Sequence, residues 1–85
     1  MQTRTVRDRG EIIMAILESA QGGQTQTRIM YKTMLNFSQL KEYLIFLQER
    51  DLILCDPVTR QYAPTSKGIE FIKKSTEIIK LINSS

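Results

Sequence analysis

Residues 25–47 read TQTRIMYKTMLNFSQLKEYLIFL, and the spacing of their apolar side chains decides how the rest of the chain is read. In the second half, Leu40, Tyr43, Leu44 and Leu47 fall on one side of a helix. Ser38 is a suitable cap for that helix, which should run to about Arg50. A reciprocal capping box from Ser38 would need Glu or Gln where Lys41 stands, so none is expected. In the first half, Thr25 caps a helix of about two turns whose inward face is Ile29, Met30 and Met34, leaving Arg28, Tyr31 and Lys32 at least partly free. Leu35, Asn36 and Phe37 are the connection. Two helices joined by so short a turn are the arrangement with which proteins seat a helix in the DNA major groove.

Working outward, residues 1–7 have no apolar rhythm and read as a flexible basic arm, with Arg4, Arg7 and Arg9 following a nucleic-acid groove or simply disordered. From Asp8 the pattern changes: Ile12, Ile13, Ile16, Leu17 and Ala20 repeat at helical spacing to about residue 21, with Asp8 and Glu11 at the dipole-favoured start. Gly22-Gly23 ends that helix. Beyond Asp51, LILC and QYA are short strands around the turn DPVTR, a hairpin closed by Pro64. Thr65 caps a final helix with no breaker after Gly68. The expected fold is mainly α with a small β-hairpin (α+β), a winged helix-turn-helix over residues 8–64 followed by a long C-terminal helix over 65–85.

Composition fits this and narrows the chemistry. Eighty-five residues with 41% hydrophobic and 25% charged side chains describe one domain with a small core. There is no uninterrupted apolar run of about 18 residues and no secretion signal in MQTRTVRDRG, so a cytoplasmic, nucleoid-associated location is expected. Cys55 is the one cysteine and histidine is absent, which leaves no internal disulfide, no ordinary zinc set and no histidine acid–base chemistry. No enzyme and no cofactor is expected, and Cys55, inside an apolar run, reads as a small hydrophobe. Net charge is only +3, but Arg28, Lys32 and Lys41 lie in residues 24–41 without one carboxylate among them, a local patch for phosphates.

The segments EIIMAILESA, TRIMYKTMLNFSQLKEYLIFLQERDLI and QYAPTSKGIEFI resemble the winged-helix family of small archaeal DNA-binding proteins that includes the small dimeric chromatin protein of Sulfolobus. The resemblance rests on Ile29-Met30-Tyr31-Lys32, the following leucine and serine, Leu40-Lys41, Tyr43-Leu44, and then Tyr62, Thr65, Lys67-Gly68 and Phe71. It implies duplex DNA binding and dimerisation through a long C-terminal helix. Two departures stand out. Asp51 occupies the place of the family's glycine before the first strand, where aspartate tolerates left-handed backbone, and the last helix is shorter than in the longest relatives.

On the third helix, Ser38, Gln39, Lys41 and Glu42 are the candidate DNA-reading residues; Ser38 and Lys41 are equally suited to phosphates, and Glu42 either accepts from cytosine or pairs with a neighbouring cation. Ile45 points the same way, to pack beneath the hairpin or to meet a thymine methyl. Thr25, Gln26, Arg28, Tyr31 and Lys32 are candidates for the DNA backbone, with a half-buried ring as the alternative for Tyr31. At the wing, Thr59, Arg60 and Gln61 are candidates for a minor groove or flanking phosphate. The last helix carries two apolar stripes: Ile69, Ile72, Thr76 and Ile79, suited to the domain's own core, and Phe71, Ser75, Ile78 and Ile82 with Leu81 nearby, suited to the same helix of a second subunit. The preferred reading is a homodimeric, sequence-specific transcriptional regulator. The alternatives are a low-specificity architectural DNA binder, and a winged-helix protein-interaction module favoured by Glu42 and Glu49.

Overall fold

The computed structural model describes residues 8–83 and shows four helices and a three-stranded sheet in the order α1 (Arg9–Ala20), β1 (Gln24–Thr25), α2 (Gln26–Thr33), α3 (Phe37–Glu49), β2 (Ile53–Cys55), β3 (Gln61–Pro64) and α4 (Ser66–Asn83). Asp8 caps α1 through a reciprocal box: its carboxylate accepts from Glu11 N at 2.8 Å, and Glu11 Oε1 accepts from Asp8 N at 3.3 Å. α1 buries Ile16, Leu17 and Ala20, then stops at Gly22 and Gly23, whose φ of +83° and +92° belong to the left-handed region that glycine adopts freely.

α2 begins as expected, with Thr25 Oγ1 accepting from Arg28 N at 3.3 Å. Ile29 is its buried anchor, and beside it Thr33 is satisfied inside the core by donating to Ile29 O at 2.7 Å. The end of α2 corrects one expectation. Met34 does not face inward; it sits in left-handed backbone at φ 60° and is 88% exposed, while Leu35 turns in to the core. The start of α3 corrects another. Asn36, not Ser38, is the cap, and a reciprocal box does form: Gln39 N donates to Asn36 Oδ1 at 2.8 Å and Asn36 N donates to Gln39 Oε1 at 3.2 Å. Thus α3 starts earlier than residue 38, on the pair that satisfies two orphan backbone donors at once.

The hairpin of β2 and β3 pairs Ile53 with Pro64, Leu54 with Ala63 and Cys55 with Tyr62. A third strand, not anticipated, completes the sheet in the order β1-β3-β2: Gln24 and Thr25 pair antiparallel with Tyr62 and Gln61. This ties the entry to α2 directly to the wing. At the other end, Asp51 does take left-handed backbone at φ 60°. The Thr65 hydroxyl donates to Asp51 O at 2.6 Å and accepts from Gly68 N at 3.0 Å, and Thr65 N donates to Leu52 O at 3.1 Å. The end of α3, the start of β2 and the start of α4 are joined through this one threonine.

The core is built from Ile16, Leu17, Ala20, Ile29, Leu35, Leu40, Leu44, Leu47, Leu52, Ile53 and Ile72, so every helix contributes. α4 gives it chiefly Gly68 and Ile72, with Ile69 and Thr76 half-buried. Ile79, expected on the same inward stripe, is half exposed and lines the groove between α4 and α1. Among the described residues no helix is long and apolar enough to cross a membrane.

Candidate nucleic-acid interface

α3 is gripped from below. Leu40, Leu44 and Leu47 are sealed in the core, and helical geometry therefore turns Ser38, Glu42, Ile45 and Glu49 toward the opposite side, with Lys41 and Gln48 on one flank and Gln39 and Phe46 on the other. Ser38, Gln39, Lys41 and Glu42 are all exposed. Their availability differs. Ser38, released from capping, presents its hydroxyl, whereas the Gln39 side-chain oxygen is committed to Asn36 N and only its amide N–H groups remain to donate. Ile45 is 47% exposed on this outward face.

On α2, Arg28 and Lys32 are exposed, and among the described residues neither forms an ion pair, nor does Lys41. Tyr31 is 71% exposed, which removes the half-buried alternative for its ring. Thr25 and Gln26 are different. Thr25 is half-buried and spends its hydroxyl oxygen on the cap, and Gln26 Nε2 is buried with no hydrogen-bond partner. Thr25 pairs with Gln61 of β3, and Gln26, next to it, opens α2.

The wing is a tight turn organised by Asp56, whose carboxylate accepts from Val58 N at 2.8 Å and Thr59 N at 3.3 Å while its carbonyl accepts from Arg60 N at 2.8 Å. Arg60 is in left-handed backbone at φ 62°, and Thr59 and Arg60 are exposed at the tip. Gln61, placed with them from the sequence, belongs to the sheet: it pairs with Thr25, and its side-chain oxygen lies over Gly23, where an added Cβ would come within 2.9 Å. Just inside the wing, burial pushes the Tyr62 hydroxyl pKa up, helped by the thiol of Cys55 across the strands and opposed by Arg60.

Three features of this surface were not anticipated. Met34 and Phe37, the latter 58% exposed, stand out at the turn between α2 and α3. Arg9 is not part of an arm; it opens α1 and lies over the rings of Phe46 and Tyr43, 4.8 and 5.7 Å from their centroids. Arg50 lies 4.0 Å from the Phe46 centroid, so two guanidinium groups share that ring. Arg50 is one turn along from Phe46, at the C-cap of the same helix, whereas Arg9 comes from α1. Arg4 and Arg7 lie outside the described residues.

Along α4, Phe71 and Ser75 are half-buried and line, with Met14, Ala15 and Ile78, a groove of about 480 Å³ against α1. Ile78, Ile79, Leu81 and Ile82 are all exposed on its last turns.

This architecture has counterparts. No curated protein sequence matches the chain. Among solved structures it is similar to the crystal structure of Sso10a-2, a DNA-binding protein from Sulfolobus solfataricus, at 25% sequence identity and a TM-score of 0.78, over 88% of this chain and 81% of that one. The family model for the winged helix-turn-helix matches residues 6–83, taking in all four helices and the wing. The chain belongs to the winged helix-turn-helix family.

Proposed function

We propose that the chain binds duplex DNA as a homodimer and acts as a sequence-specific regulator. The observation that carries this reading is the contrast within α3: Leu40, Leu44 and Leu47 hold the helix, while Ser38, Gln39, Lys41 and Glu42 remain exposed around its first turns. A helix fixed on one face and polar on the other is what entry into a major groove needs. Arg28 and Lys32, with Tyr31 beside them, are suited to the phosphates as α2 crosses the backbone, and Arg60 at the wing tip to a flanking phosphate. Thr25 and Gln61 take a positioning role through the cap and the β1–β3 pairing. The likeness to Sso10a-2, described as a DNA-binding protein, supports the same reading.

Dimerisation is proposed through α4. Ile78 and Ile82, with Ile79 and Leu81, form an apolar end that the protomer leaves uncovered, and the same helix of a second copy would bury it about a two-fold axis. Phe71 and Ser75 contribute from the groove beside α1. Two recognition helices related by such an axis require a pseudo-palindromic target.

A second reading is favoured by one observation: the centre of the outward face of α3 carries Glu42 and Glu49, which repel phosphate and suit a protein partner. Duplex binding over a salt series separates the two. DNA binding gives log K falling linearly with log salt at about −0.9 per phosphate contact, with a marked preference among sequences; absence of binding at low salt favours the protein partner. Within the DNA reading, Lys32→Ala weakens all sequences alike and lowers the salt slope by about 0.9, whereas Gln39→Ala changes the order of preference.

A further inference from the structure

We propose that Met34 and Phe37 form an apolar reading edge beside the recognition helix that senses the C5-methyl groups of thymine in the major groove. The inference rests on the DNA-binding reading and adds to it the chemistry by which bases are told apart.

Met34 is the first reason. It closes α2 in left-handed backbone, φ 60° and ψ 30°, a conformation glycine or asparagine adopts at less cost. Its service to the cap is a backbone one, Met34 N donating to Met30 O at 2.9 Å, and at 88% exposure its side chain adds nothing to the core. Folding therefore explains the position but not the residue. An unfavourable backbone retained with an exposed apolar side chain points to a contact made outside the protomer.

Phe37 is the second. It is the first residue of α3, beside a cap made entirely by Asn36 and Gln39, and it is neither in the core nor among the half-buried side chains packed on it. Between the two, Leu35 is buried and pins the connection, so Met34 and Phe37 are held outward by a rigid turn.

The surroundings decide the occupant. Residues 24–41 contain Arg28, Lys32 and Lys41 and no carboxylate, so whatever covers this edge is anionic around an apolar centre. The wall of a major groove has that composition: phosphates at its margins and thymine methyls as its apolar elements. Glu42 and Glu49, one to three turns further along α3, lie outside this edge.

The test compares an A·T-rich duplex with the same duplex carrying deoxyuridine for every thymine, which removes the methyl groups and leaves the hydrogen-bonding edges intact. Affinities are measured by fluorescence anisotropy at low salt for the wild type, for Met34→Gly and for Met34→Gly/Phe37→Ser, with thermal melting as the folding control. The wild type should prefer the thymine duplex by about fourfold for each methyl seated. Met34→Gly, which suits left-handed backbone and so keeps the fold, should lose part of that preference, and the double variant all of it. Equal, tight binding of both duplexes by the wild type overturns the inference and leaves DNA binding standing. A preference that survives in Met34→Gly and the double variant overturns the assignment to these residues. Binding to neither duplex at low salt overturns the DNA reading along with it.

Discussion

Gly68→Ala should destabilise this domain although it places a better helix former inside α4. Helix propensity alone favours alanine over glycine by about 1 kcal/mol. Position 68, however, is buried against the start of β2: a Cβ there would collide with the Leu52 carbonyl oxygen and come within 3.1 Å of Pro64 Cβ. Neither neighbour is a flexible side-chain end. The Leu52 oxygen is already held by Thr65 N at 3.1 Å, and Thr65 Oγ1 is bonded to Asp51 O at 2.6 Å, so moving α4 away strains both bonds. Overpacking costs about 1–3 kcal/mol and each weakened hydrogen bond about 0.5–1.5 kcal/mol. Set against the propensity gain, the net loss is about 1–5 kcal/mol, which for a domain of this size lowers Tm by roughly 4–40 °C. Thermal unfolding followed by circular dichroism reads this directly. A Tm equal to or above that of wild type would refute the claim that α4 is seated by backbone contact at Gly68.

Other expectations concern the helix starts, the dimer and pH. Asn36→Ala removes the capping box of α3 and should cost about 0.5–2 kcal/mol in urea unfolding; DNA affinity should also fall, because the first turn that frays carries Ser38 to Glu42. Ile78→Glu combined with Ile82→Glu should give a protein of monomer mass in analytical ultracentrifugation with little change in the melting of the domain, since both side chains are exposed in the protomer. Burial raises the Tyr62 pKa above its ordinary value of 10.0, so folding favours the protonated phenol. That stability is intact below about pH 10 and is lost as pH rises from there through the folded-state pKa; Tyr62→Phe should flatten this alkaline loss in a pH series of urea midpoints.

How far the fold could be read in advance follows from the range of the forces involved. α1, the core face of α3 and the hairpin were legible because each writes its own period: Ile16, Leu17 and Ala20 on one helix, Leu40, Leu44 and Leu47 on another, LILC and QYA around DPVTR. β1 was not, because a two-residue strand has no period, and its partner, β3, lies far along the chain. The cap of α3 was legible in principle. Asn36 with Gln39 three residues on is as good a box as any, but Ser38 is an equally good cap residue and local sequence does not choose between them; the burial of Leu35 and Leu40 does. Met34 was placed inward by its spacing from Ile29 and Met30, and the chain instead reverses its backbone there to bring Leu35 in.

The candidate site divides in the same way. Side chains on regular helices, Arg28, Lys32, Lys41 and Glu42, are exposed where helical periodicity put them. Those whose role depends on a partner distant in sequence were not placed: Gln61 is drawn to the β1–β3 pairing, and Arg9 to Phe46. On α4 the two stripes do not separate cleanly: Phe71 and Ser75 of the outward stripe are half-buried like Ile69 and Thr76 of the inward one, and Ile78, Ile79 and Ile82 are all exposed.

The most direct test of the central claim is a titration of the isotope-labelled protein with duplex DNA at low salt, followed by backbone amide chemical shifts. The expected result is that the largest changes map to Ser38, Gln39, Lys41 and Glu42, with smaller ones at Arg28, Lys32 and Arg60, and none at the buried Leu44 and Leu47. Changes confined to α4, or no changes at all while the fold is intact, would contradict it.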